Sequence, residues 1–152
     1  MATLKLINNA AQQAHEWINE VQEELKLPHE QSAYAALRAV LHNLRDRRPV
    51  KESADLSAQL PTLIRGIYFE GWSPNKNKKV ARTVEEFTNG VRKELSDHGE
   101  IHAQNAIRSV FALLDRKVTD GEINDVIGNF PIEMRKLWPK EAVDRQGMQS
   151  GR

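Results

Sequence analysis

The sequence predicts an all-helical protein: two tandem copies of a four-helix unit packed about a pseudo-twofold axis, with no sheet. Two observations predict it. The first is a repeat. Shifted on itself by 70 positions, the chain aligns residues 15–68 with 85–138 without a gap, with 15 identities over 54 positions. Chance gives roughly one identity in fifteen or so, so duplication is the explanation. The second is periodicity. Apolar residues recur at three-and-four spacing throughout, and no segment alternates apolar and polar residues as a half-buried strand does.

The first helix is expected over about 12–26, with Ala14, Trp17, Ile18, Val21 and Leu25 on one face and Pro28 ending it. The second, about 30–46, turns Ala33, Ala36, Leu37, Val40, Leu41 and Leu44 inward and is broken before Pro49. A short third helix carries Ala54, Leu56 and Leu60. Pro61 then stands where a first helical residue tolerates a missing N–H, ahead of a fourth helix with Leu63, Ile64, Ile67 and Tyr68. The second copy repeats this pattern. Thr83 with Glu86, and Thr119 with Glu122, have capping-box spacing at two of its helix starts. Its inward residues include Phe87, Val91, Phe111, Phe130 and Trp138.

This divides the chain into a first repeat at 12–72, a basic linker at 73–82, a second repeat at 83–139 and a disordered tail at 140–152. Each unit alone would bury too little apolar area to be stable, so the two should share one core and form a single compact domain.

Composition narrows the function classes. With 39% hydrophobic and 28% charged residues, the chain has the profile of a globular protein and not of a disordered one. There is no cysteine, hence no disulfide, thiolate metal site or cysteine nucleophile. The opening MATLKLINNAAQQ lacks the profile of a signal peptide, and no apolar run approaches the ~18 residues of a membrane span. A cytoplasmic protein with no membrane partner is expected. The net charge of +1 is unevenly spread. Residues 71–82 hold 4 Lys/Arg against no Asp/Glu, while 1–70 hold 8 against 9 and 83–152 hold 10 against 12. The positive balance therefore lives in the linker.

The stretches LRAVLHNLRDR, DLSAQLPTLIRGIYFEGW and DVIGNFPIEMRKLWP resemble the bacterial family known as domain of unknown function 2267. The most specific part is Asp-x4-Leu/Phe-Pro-x3-Arg, present as Asp55, Leu60, Pro61, Arg65 and again as Asp125, Phe130, Pro131, Arg135. The resemblance covers about residues 12–140. It implies a duplicated helical fold and no particular reaction.

Candidate chemistry starts from what repeats. Arg38, Glu52, Asp55 and Arg65 recur as Arg108, Glu122, Asp125 and Arg135. The set reads first as structural: a carboxylate of the third helix would pair with the arginine of the fourth across the proline turn. Its alternative is a pair of equivalent ligand pockets. Trp72, Lys76, Lys78, Lys79 and Arg82 form a candidate interaction surface in and beside the linker. Arg45, Arg47, Arg48 and Lys51 form a second basic cluster, which, if it met the linker in space, would suit phosphates. No nucleic-acid motif accompanies them, and nucleic acid is the least favoured partner. His98 and His102 have i, i+4 spacing, but Gly99 intervenes and a third ligand is not evident, so surface histidines are the reading. DRKVTDGEI imitates a calcium loop, yet its register would place Arg116 at the first ligand position. No nucleophile elbow, P-loop or dinucleotide fingerprint is present.

The sequence thus points to a non-catalytic helical protein without cofactors or metals, acting as a protein–protein interaction or scaffold module, through an unknown protein partner or self-association. The alternatives are a small-ligand module with a pocket between the repeats and a weak nucleic-acid binder through the linker.

Overall fold

The computed structural model of the protein describes residues 4–76 and 79–150. Among them there is no strand. The chain runs through α1 (Lys5–Leu25), α2 (Glu30–Asp46), α3 (Val50–Ser57), α4 (Thr62–Phe69), a 3-10 turn at Pro74–Lys76, α5 (Val84–Glu94), α6 (Ala103–Lys117), α7 (Asp120–Gly128), a 3-10 helix at Ile132–Leu137 and α8 (Lys140–Ser150).

Helices α2 and α6 pack on each other at the centre. Helix α1 lies against both, and so does α5. Ala33, Ala36, Leu37, Val40, Leu41 and Leu44 from α2 meet Ala106, Ile107, Val110, Phe111, Leu113 and Leu114 from α6 in one continuous apolar core. Small residues on the α2 face let the helices approach closely. Bulk comes from a buried aromatic cluster. Phe111 stacks on Trp138 with centroids 4.2 Å apart, and Phe87 and Phe130 close around the pair. Such rings each bury ~150–250 Å², which makes this cluster a main source of stability.

Local signals act as physical chemistry requires. Thr83 accepts from the Glu86 N–H at 3.1 Å, and Thr119 from the Glu122 N–H at 3.4 Å, so both N-caps form. Only this half of the expected capping box is present at each. The Glu86 carboxylate reaches back to the N–H of Arg82 rather than of Thr83. Helix α1 ends with Lys26 in the left-handed region at φ 54°, while the Leu27 N–H bonds the Gln22 carbonyl at 3.0 Å. The buried Leu27 completes a Schellman-type stop just ahead of Pro28.

Four expectations are corrected. Helix α1 starts at Lys5 rather than near 12, because nothing between these points breaks a helix. The last element of the second half is 3-10 instead of α. Pro131 and Pro139 confine it, and Trp138, preceding a proline, is pushed to an extended conformation with ψ 157°. In the first half the position matching Pro139 is Phe69, and α4 runs on through it. The linker is not wholly exposed, since Ala81 is fully buried. The segment expected as a disordered tail is helix α8 through Ser150, with Gly151 and Arg152 outside the described residues. Ala142 and Gln146, one turn apart, are buried against α7, and Arg145 bonds Asp115 of α6 at 2.5 Å. Three inward residues in an otherwise polar run make too narrow a stripe for periodicity to register.

Candidate functional site

The repeated polar residues divide into two groups. The arginines hold the fold. Arg65 Nε donates to the Ser57 carbonyl at 2.9 Å, and its Nη2 donates to Leu60 at 3.1 Å. Arg135 does the same in the second half, with Nε on the Phe130 carbonyl at 3.2 Å and Nη2 on Gly128 at 3.3 Å. A helix end leaves carbonyls without intrahelical partners, and each guanidinium bonds one at the end of the helix before it and one in the turn that follows. The expected pairing of Arg65 with a carboxylate of the third helix is therefore corrected. The arginine is taken up by main-chain oxygens, and Asp55 meets Lys51 of its own helix at 3.3 Å. Arg38 pairs with Glu70 at 2.6 Å, whereas Arg108 donates to the Lys136 carbonyl at 2.8 Å. The two diverge because the position matching Glu70 is Lys140.

The carboxylates go elsewhere. Glu52 and Asp55 of α3 and Asp125 of α7 line one open cleft of about 550 Å³. Lys51, Asn124, Gly128 and Asn129 complete its α3 and α7 walls, and Gln146 and Gln149 of α8 form the third. Three carboxylates against one ammonium leave these walls at −2. Behind them lies Arg48, its side chain only 1% exposed, with the Glu52 carboxylate 3.6 Å away. Burial pushes its guanidinium down, and Glu122, Glu52 and Asp55 act against that. Burial pushes the Glu122 carboxyl up. Arg48 opposes the rise, while Asp125, Asp55 and Glu52 add to it. Glu122 thus feels the charge of Asp125, Asp55 and Glu52, with one buried arginine opposing them. Asn124 is 6% exposed, and its side-chain oxygen has no hydrogen-bond partner among the described residues. A buried acceptor left unsatisfied costs about 1–3 kcal/mol.

The arginines of the basic cluster after the second helix are taken up within the fold. Arg45 is buried and donates to the Tyr68 and Glu70 carbonyls at 2.8 and 2.9 Å, and it also pairs with Asp46. Arg47 pairs with Glu86 at 2.9 Å. Lys76, Lys79 and Arg82 are exposed, and Lys78 lies outside the described residues. Trp72 is half-buried, stacked on Phe69 with centroids 5.1 Å apart. His102 caps α6 by accepting from the Asn105 N–H, and His98 lies near Glu100. Among the described residues no group of three or more His, Cys, Asp or Glu is placed to hold a metal.

Asn124, Asn129, Gln146 and Gln149 are the site residues that sequence reasoning missed. Asn124 has Ala54 as its repeat mate and carried no signal of its own. The two glutamines lay in the segment taken for a tail.

Fold and cleft together define an all-helical protein with an open acidic cleft at the meeting of its third and seventh helices. The chain belongs to the family described as uncharacterized conserved protein (DUF2267), whose model matches residues 14–137. That match takes in Glu52, Asp55, Glu122 and Asp125 and ends before α8, so the glutamine wall lies outside it. A comparison with curated proteins finds no match. No described helix is long and apolar enough to cross a membrane.

Proposed function

We propose that the protein is a non-catalytic binding module, built from two duplicated helical units about a pseudo-twofold axis, whose ligand sits in the cleft between α3, α7 and α8. Reciprocal packing supports the duplication. Helix α1 meets α6 as α5 meets α2, α1 meets α2 as α5 meets α6, and α2 meets its own repeat mate α6. Two equivalent pockets are replaced in this reading by one junction, to which α3 and α7 each bring their copy of the same carboxylates.

One observation carries the binding reading. Carboxylates kept in both copies gather at one cleft, and among the described residues the ion pairs of those lining it reach no further than Lys51 of the same helix and Arg48 in the turn before it. Residues that hold a fold do the opposite, as Arg65 and Arg135 do. Sites that store electrostatic cost are characteristic of function.

A thermal-shift screen of small charged and neutral solutes and short peptides tests it. Some should stabilise the wild-type protein and leave Asp55→Asn/Asp125→Asn unaffected. Identical responses from both proteins would refute the reading.

A second reading, self-association, rests on the opening turns of α1. Leu4, Leu6 and Ile7 are 67%, 73% and 56% exposed, and Lys5 is the one charged residue from 4 to 14. Copies could approach there without like-charge repulsion. Sedimentation of the wild type against Ile7→Glu tests it, a concentration-dependent dimer lost in the variant being the expected result.

A further inference from the structure

We infer that the cleft takes an extended, multi-donor cation: ammonium or guanidinium groups spaced along a chain, as in a polyamine or in the lysine and arginine side chains of a basic peptide. The inference rests on the binding reading above and names the ligand's chemistry.

The first argument is charge. The cleft walls stand at −2, and counting Glu122 and Arg48 behind them leaves the same balance, four carboxylates against two cations. An anion would meet Glu52, Asp55 and Asp125 before it reached Arg48. A cation relieves the repulsion among them, and the relief is larger beside low-dielectric protein than in bulk water.

The second argument is hydrogen-bond type. Ionised carboxylates only accept. The Asn124 oxygen is also an acceptor, lies more than nine-tenths buried on the cleft wall, and has no partner among the described residues. This orphan is independent of the carboxylates and asks for the same thing, an N–H donor. A site rich in acceptors selects a ligand rich in donors, and rejects one that would leave them unpaired.

The third argument is spacing. A point cation such as a divalent metal needs oxygens converging on one centre. No such group of three exists among the described residues. The carboxylates are distributed over two helices along an open cleft of about 550 Å³, which suits charges separated by an apolar chain. Asn129 and Gln149, able both to donate and to accept, give the intervening chain and any peptide groups a neutral wall, while the Gln146 side-chain oxygen is held by Arg135 at 3.2 Å.

The test is a two-dimensional NMR titration of the full chain, followed at the Asn124 side-chain amide and the backbone amides of α3 and α7. The probes are spermidine, a lysine/arginine hexapeptide, citrate and a neutral hexapeptide, at low salt and at about 0.15 M salt. Saturable shifts at these positions are expected from spermidine, the basic peptide or both, and which of them binds tells the small molecule from the peptide. Affinity should fall about tenfold or more in Asp55→Asn/Asp125→Asn, and rise in Lys51→Glu, which removes the cleft's one cation. The opposite responses of the two variants guard against a folding artefact. Shifts from citrate or the neutral peptide alone would overturn the cationic class and leave the cleft as a binding site. No cleft shift from any probe, or equal cation shifts in the wild type and the double variant, would overturn both.

Discussion

Arg65 and Arg135, seventy positions apart, make the same attachment: each guanidinium is bonded to a carbonyl oxygen at the end of the helix before it and to one in the turn that follows. Arg65→Ala should therefore cost about 1–3 kcal/mol, the range for losing charged hydrogen bonds and stranding their acceptors. Arg65→Lys should recover little, because one ammonium cannot reproduce a planar fork. Urea midpoints check this, and an unchanged midpoint in Arg65→Ala would remove the structural role.

The contrast between these arginines and the carboxylates explains what was legible in the sequence. Helices α2, α5, α6 and α7 could be read from their apolar stripes, with threonine caps marking the starts of α5 and α7. Arg65 was expected to pair with a carboxylate, and it bonds main-chain carbonyls instead. Side-chain pairing can be guessed from sequence, whereas a bond to a main-chain carbonyl carries no residue signature. The repeated carboxylates were recognised as a set, but not as one site. Nothing in a linear alignment says that two equivalent positions will face a common cleft instead of occupying separate ones. Helix α8 was missed because only Ala142, Val143 and Gln146 turn inward from it. With it went the third wall of the site.

His42 makes stability sensitive to mild acid. It is buried, and its Nε2–H donates to the Ile67 carbonyl at 2.7 Å. Burial pushes its imidazole below the ordinary value of 6.5, and the bond to Ile67 only partly offsets this. The unfolded chain therefore takes up this proton first. The stabilisation is fully present above about 6.5 and is lost as pH falls toward the depressed folded value. Thermal midpoints from pH 7 downward should decline in the wild type, and the slope over that window should flatten in His42→Gln.

Glu122 contributes the opposite slope. Burial holds its carboxyl above the ordinary value of 4.5, so between that value and the raised one the folded protein holds more protons than the unfolded chain. The contribution is present at low pH and is lost as pH rises past about 4.5 and through the folded value. Glu122→Gln should raise stability at neutral pH and abolish this component. Urea unfolding of both proteins from pH 4.5 to 7 checks it, and a loss of stability in the variant at pH 7 would contradict it.

Gly90 keeps α5 close to α2. A β-carbon there would collide with the side-chain oxygen of Asn43, which is itself buried and donates to the Ala39 carbonyl at 2.9 Å. Helix propensity alone would make Gly90→Ala stabilising by about 1 kcal/mol. Overpacking should reverse the sign and leave a loss of about 1–3 kcal/mol, read from denaturant midpoints.

On the binding reading, Asp55 and Asp125 serve a ligand at a cost to the fold. Both lie near the C-terminal end of a short helix, where negative charge is disfavoured. The most direct measurement is the thermal midpoint of ligand-free Asp55→Asn/Asp125→Asn against the wild type at neutral pH and low salt. The double variant should melt at least as high as the wild type, by up to a few degrees above it. A midpoint several degrees lower would mean that these carboxylates hold the fold, and would contradict the account.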